Sequence, residues 1–171
     1  MKRYVLLGIL LILGVVVQTN ASDKPVWKND VTDISIPSIS AQGIAHGVEF
    51  KVEKASLQNG ILELRQGQDF FPDQAFMIFT FLGNDESVNG KTITVKPEDG
   101  FGVPHIHFKY KVEGKSTPET EMFMKEYTMK IEFGQTTGNK IEGKIYLCLP
   151  DGKKSFVAGT FEAELKCSAK E

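Results

Sequence analysis

The sequence predicts an all-β domain, and three observations carry that prediction. From Gly43 onward, short runs of alternating apolar and polar residues recur to the end of the chain, separated by Gly, Asn, Asp and Pro. No stretch repeats its apolar residues at the helical period. Between two of the alternating runs stands Asn59-Gly60, the residue type that a two-residue type I′ turn demands, because both of its positions need positive φ. Segments of this length and spacing predict a single antiparallel β-sandwich of about eight or nine strands. A flattened barrel buries the same one apolar face per strand and is the alternative.

In the opening stretch, MKRYVLLGILLILGVVVQTNA, Lys2 and Arg3 precede an uninterrupted apolar run from Val5 to Val17 and a polar stretch ending in the small residue Ala21. That layout is a secretory signal peptide over residues 1–21. An uncleaved anchor is the competing reading, but the run falls short of the roughly 20 residues that a spanning helix needs. Residues 22–42 are polar and punctuated by Pro25, Pro37 and several serines, with Trp27 as the only large anchor, and they read as an extended lead-in. Residues 43–171 form the β-domain. The 150 residues left after cleavage carry 18 basic and 22 acidic side chains, a net charge of −4. That balance argues against nucleic acid and against an anionic membrane surface, both of which favour a net basic face. The expected location is secreted or periplasmic, with no membrane insertion after cleavage.

Parity fixes the first hairpin. A turn at Asn59-Gly60 pairs Leu57 with Leu62 and Ala55 with Leu64, so the apolar residues of both strands share a face. Upstream, Val48, Phe50 and Val52 are even-numbered and disagree with Ala55 and Leu57, which predicts a bulge near Glu53-Lys54. The run Ala75 to Leu82 is apolar on both faces except for Thr80, as suits a strand in mid-sheet with both sides covered. Phe70 and Phe71 precede it, and the many phenylalanines read as core in preference to an aromatic binding platform. Glu121 to Phe133 alternates as one long half-buried strand, with Phe123, Tyr127, Met129, Ile131 and Phe133 inward.

The last two strands decide the cysteines. Ile141, Ile145, Leu147 and Leu149 share one face, and Val157, Phe161, Ala163 and Leu165 another, all odd-numbered. Facing residues therefore have numbers with an even sum, and the loop around Asp151-Gly152 holds three or five residues. Cys148 then lies opposite position 156 or 158 and points away from the core, about 30 Å along the strand from Cys167. A disulfide needs Cα atoms within about 7 Å, so two unpaired thiols are expected even though an exported compartment permits a bridge.

His105 and His107, in FGVPHIHFKY, sit on the polar face opposite Ile106, Phe108, Tyr110 and Val112. Their side chains project the same way about 6.6 Å apart, compatible with one ion between them. The His-x-His pattern on a strand resembles the one that supplies metal ligands in carbonic anhydrases and cupins. His46 is the only other imidazole and the candidate third ligand, and neutral imidazoles with an open position suit Zn or Cu better than Ca or Mg. Lys109 and Lys111 on the same face oppose a cation, so solvated histidines are the preferred reading. The sequence has no Gly-x-Ser-x-Gly elbow, phosphate loop or Cys-x-x-Cys. A carboxylate pair of the glycosidase kind leaves no mark in sequence, since only its spatial separation defines it.

Together, AHGVEFKVEKASLQNGILELRQGQDFFPD, GFGVPHIHFKY and GKIYLCLPDGKKSFVAGTFEAEL resemble a group of uncharacterised exported bacterial β-sandwich domains, over about Gly43 to Leu165. The closing Gly-Thr-Phe hairpin is also similar to the last strands of small secreted β-sandwich and calycin-like domains. The resemblance implies an all-β exported module and brings no activity. The expected function is a non-catalytic module that binds a small ligand or a protein partner. A small Zn or Cu protein using His46, His105 and His107 is the alternative, and a hydrolase with unrecognised carboxylates the third possibility.

Overall fold

A computed structural model describes residues 26–32, 34–82 and 88–166. The signal-peptide segment 1–21 and Cys167 lie outside the described residues. Within them there are eleven strands and no helix: β1 (Gln42–Ala45), β2 (Val48–Lys51), β3 (Lys54–Gln58), β4 (Ile61–Gln66), β5 (Gln74–Phe79), β6 (Thr92–Val95), β7 (His105–Tyr110), β8 (Glu119–Phe123), β9 (Thr128–Thr137), β10 (Lys140–Cys148) and β11 (Phe156–Leu165). All join one sheet in the order β6-β9-β10-β11-β3-β4-β5-β7-β8, with β1 on β11 and β2 on β1. The fold class is all-β as the sequence predicts, but the sheet is mixed and curled into a half-barrel. The expectation of a purely antiparallel sheet is corrected by β11, which pairs with β3 in parallel through Ala163–Ala55, Glu164–Ser56 and Leu165–Leu57.

The parallel pair arises from a bend. The first residues of β11 pair antiparallel with β1, through Gln42–Ala158 and Ile44–Phe156. At Gly159 the backbone takes φ +136°, and a Cβ there would lie 2.5 Å from Ile39 O and 2.7 Å from the Ala41 Cα. Only glycine tolerates both the torsion and the approach. Past the bend, Thr160 N–H donates to Ile39 O (2.7 Å) and Ala41 N–H to Thr160 O (2.8 Å). The strand then meets β3, while its other edge stays on β10 throughout.

The strand count exceeds the predicted eight or nine because two runs that read as continuous are broken. Val48 to Leu57 is split at Val52 and Glu53: Val52 N–H donates to Ala41 O and Glu53 N–H to Arg65 O, both at 2.9 Å. The face switch predicted as a bulge is a transfer from one neighbour strand to another. Likewise Glu121 to Phe133 is cut between β8 and β9, where Glu126 has φ +63° and the buried Tyr127 hydroxyl donates to Pro104 O. This four-residue link joins β8, at one end of the sheet, to β9, next to the other end. A link so short cannot cross a flat sheet of nine strands spaced about 4.8 Å apart, so the sheet must curl.

The inner face carries the core. Phe50 packs edge-on against Phe76 (5.0 Å between ring centres) and Phe76 stacks on Phe108 (4.8 Å), among Leu62, Leu64, Ile78, Ile106, Met129, Ile131, Ile141 and Ile145. Part of the outer face is covered as well. Trp27, Ile34 and Ile36 lie over Tyr146, Cys148, Phe156 and Ala158. Trp27 Nε1–H donates to Leu149 O, and the Tyr146 hydroxyl accepts from Lys28 N–H (2.7 Å) and donates to Val26 O (2.9 Å). The lead-in is thus a strap over β10 and β11.

Both hairpins follow parity. Asn59 and Gly60 have φ +51° and +71°, and Leu57 faces Leu62 and Ala55 faces Leu64. In the last hairpin Cys148 faces Phe156 and Leu149 N–H closes on Ser155 O, leaving the five-residue loop Pro150 to Lys154. Two substitutions test the turn and the bend. Gly60→Val places a β-branched residue at positive φ, where a Cβ meets Leu82 O at 2.5 Å, and should destabilise the protein by about 1 kcal/mol or more. Gly159→Ala should cost at least about 3 kcal/mol, since it strains the backbone and collides with main-chain atoms. Urea unfolding that ranks Gly60→Val above Gly159→Ala in cost would contradict the role given to the bend.

Candidate functional site

Odd-numbered residues of β5 and β7 and even-numbered residues of β8 point outward, because Phe76, Ile78, Ile106 and Phe108 take the core. The cross-strand register sets them in rows: Phe79 opposite His105, Met77 opposite both His107 and, on β4, Glu63, and Met122 opposite His107 from β8. The Phe79 ring lies 4.3 Å from the His107 ring, and the Phe81 ring meets His105 edge-on at 4.7 Å. Phe81 is 56% exposed and Met122 64%. Phenylalanine, methionine and histidine side chains therefore share one outer face that no described segment covers as the strap covers β10 and β11.

Phe81 is held there against its backbone preference. Its φ is +57°, a region that costs a bulky side chain on the order of 1–3 kcal/mol. Thr80 fixes it: Thr80 N–H and Oγ1–H both donate to Gly60 O, at 2.9 and 2.7 Å. The Asn59-Gly60 turn thus anchors the end of β5 and turns Phe81 out over His105. Burial, then the neighbouring His105 and Lys109, hold the His107 imidazole below its ordinary range. It is neutral at neutral pH, with a lone pair free to accept a hydrogen bond or bind a metal.

His105 and His107 lie on the outer face, as their parity predicts. His46 does not join them. It stacks flat on Tyr110 (3.9 Å, 9° between planes), whose side chain belongs to the inner core. Among the described residues no group of three or more His, Cys, Asp or Glu is placed to hold a metal ion. The expectation that most phenylalanines are core is corrected for Phe70, Phe71, Phe81 and Phe101, all exposed. For Phe81 this also corrects the expectation that the run Ala75 to Leu82, apolar on both faces, is covered on both sides.

Other clusters are polar, and several of their charges are matched by neighbours. The Tyr110 hydroxyl donates to Glu121 (2.7 Å) and lies 3.3 Å from Glu119, which Lys115 also contacts. Lys115, Tyr110 and His46 hold Glu119 below the usual carboxylate range, the reverse of what a glycosidase acid needs. Two buried atoms near the β1–β2 turn, His46 Nδ1 and Gln74 Oε1, lack a hydrogen-bond partner. A groove of about 590 Å3 over Gly143 is lined by Glu132, Glu142, Lys144 and Glu162, and two of its carboxylates pair with Lys130 and Lys140. No family model, curated protein or solved structure matches the chain.

Cys148 is a free thiol, fully buried beneath the strap. Burial pushes it from 9.0 up to about 11, against a weaker opposing hydrogen bond with Tyr146. Its folded pKa is raised, so the stability it contributes is complete below pH 9 and lost as pH rises to about 11. The melting temperature should fall over that window, and Cys148→Ala should remove part of the slope. Tyr127 and Tyr146, raised by burial, and Tyr110, raised first by its hydrogen bond to Glu121, add to the slope at its alkaline end. At pH 8 a thiol reagent should label Cys148 only after denaturation; rapid labelling at Cys148 in the native protein, located by peptide mapping so that Cys167 is told apart, would show that the strap does not cover it.

Proposed function

We propose that this chain is an exported, non-catalytic module that binds a ligand or partner through the outer face of β5, β7 and β8. The observation that carries this reading is Phe81, an exposed aromatic side chain fixed in a left-handed backbone conformation beside His105. Strained residues persist where the surrounding structure over-determines them, and they concentrate at sites of function. Contiguous exposed apolar side chains on a soluble domain mark interaction surfaces. Export is supported by the Lys2-Arg3 head and the apolar run Val5 to Val17. Of the two architectures the sequence allows, we favour the flattened barrel, because nine of the eleven strands form one continuous path and the β8–β9 link draws its ends together.

If Phe81 serves binding and not stability, Phe81→Gly relieves the positive φ and should leave the melting temperature unchanged or raise it. The same substitution should weaken native-state binding of the apolar dye anilinonaphthalene sulfonate, and Phe81→Gly with Met122→Ser should abolish it. A loss of more than about 1 kcal/mol in Phe81→Gly would show a structural ring. Dye binding indifferent to both changes would place the interaction surface elsewhere.

A further inference from the structure

We infer that the outer face is built for a cuprous ion, held by Met77, His107 and Met122 with His105 beside them. The inference rests on the reading of this face as the contact surface and names its ligand. Three neighbouring strands place these residues in one row: Met77 on β5 is directly opposite His107 on β7, and His107 is directly opposite Met122 on β8. Directly opposed residues of an antiparallel pair have Cβ atoms only about 5 Å apart, so a thioether lies on each side of one imidazole, all projecting to the same face. His105 follows two residues along the same strand and the same face, within reach of the same position.

The donor set selects the metal. Thioether sulfur is a soft ligand that favours Cu(I), imidazole binds copper readily, and neither suits Ca or Mg. Zn sites draw on thiolate, imidazole and carboxylate ligands; among the described residues the carboxylate on this row, Glu63, is separated from His107 by the whole of β5, with Met77 between them, and His46 is stacked on Tyr110. The lysines that oppose a cation weigh less than the sequence suggests. Lys111 is paired with Asp73, and a monovalent ion on neutral ligands meets half the repulsion from Lys109 that a divalent one would. The rings of Phe79 and Phe81, packed on His107 and His105, shield one side of the row from water and limit the imidazoles' rotation. Met122, largely exposed, is free to swing onto the ion, as an unbranched thioether does readily.

The test is an anaerobic titration of the protein with Cu(I) in competition with a colorimetric cuprous chelator. One ion should be retained per chain. His107→Gln should abolish retention, and Met77→Leu and Met122→Leu should each weaken it by about tenfold or more; His46→Ala should not change it. The three variants on the outer face should keep the wild-type melting temperature without metal to within a few degrees, while His46→Ala, which loses the ring stacked on Tyr110, is compared by copper retention alone. In carbon-13 spectra the Met77 and Met122 methyl signals should shift on binding and that of core Met129 should not. No retention against the chelator, or retention indifferent to both methionines, overturns the inference. If the dye of the preceding section still binds in a Phe81-dependent way while copper does not, the contact surface stands and the copper assignment alone falls.

Discussion

The bend of β11 at Gly159 is the constraint on which the rest of the fold depends. One edge of that ten-residue strand is committed to β10 along its length. The other edge serves β1 before the bend and β3 after it, antiparallel and then parallel. Without a residue that accepts φ +136° and backbone atoms at contact distance, these two neighbours could not share one strand. The bend seats residues 39–41 between the two and starts the curl that the short β8–β9 link completes.

A curled sheet has one concave face that fills with side chains and one convex face that needs cover or faces water. This chain treats its convex face unevenly. Over β10 and β11 the strap of Trp27, Ile34 and Ile36 seals Tyr146 and Cys148. Over β5, β7 and β8 the sequence still places phenylalanine and methionine, yet no described segment lies on them. Each such side chain left open forgoes burial worth about 1.5–3 kcal/mol. The positive φ of Phe81 adds to that cost on the same face. Several local rules broken together at one place are the pattern expected of a functional surface.

Much of this was legible in sequence because a strand's period of two makes parity decisive. It assigned the faces of Leu57 and Leu62, of Ile145 and Val157, and of His105 and His107, and it turned Cys148 away from the core. Parity cannot tell a bulge from a break, so the division at Val52-Glu53 and the turn at Met124 to Tyr127 read as continuous strands. Nor does it carry strand order. The parallel neighbour of β11 depends on contacts more than a hundred residues apart, between Ala55 and Ala163. The candidate site was half legible for the same reason: the histidines share a strand and declare their spacing, whereas Met77 and Met122 reach them only through registers with β5 and β8. That His46 stacks on Tyr110 was not legible, because spacing says nothing about which side of a sheet a turn folds onto.

The parallel ladder between β11 and β3 is the feature that only this fold requires, and nuclear Overhauser contacts test it directly. Parallel and antiparallel ladders differ in which backbone protons approach across the strands. Ala163 and Leu165 should show amide-to-Hα contacts to residues around Ala55 and Leu57, with no Hα–Hα contacts between the strands. Strong Hα–Hα contacts between β11 and β3, or their absence from each other's neighbourhood, would contradict the bend at Gly159 and the curled sheet built on it.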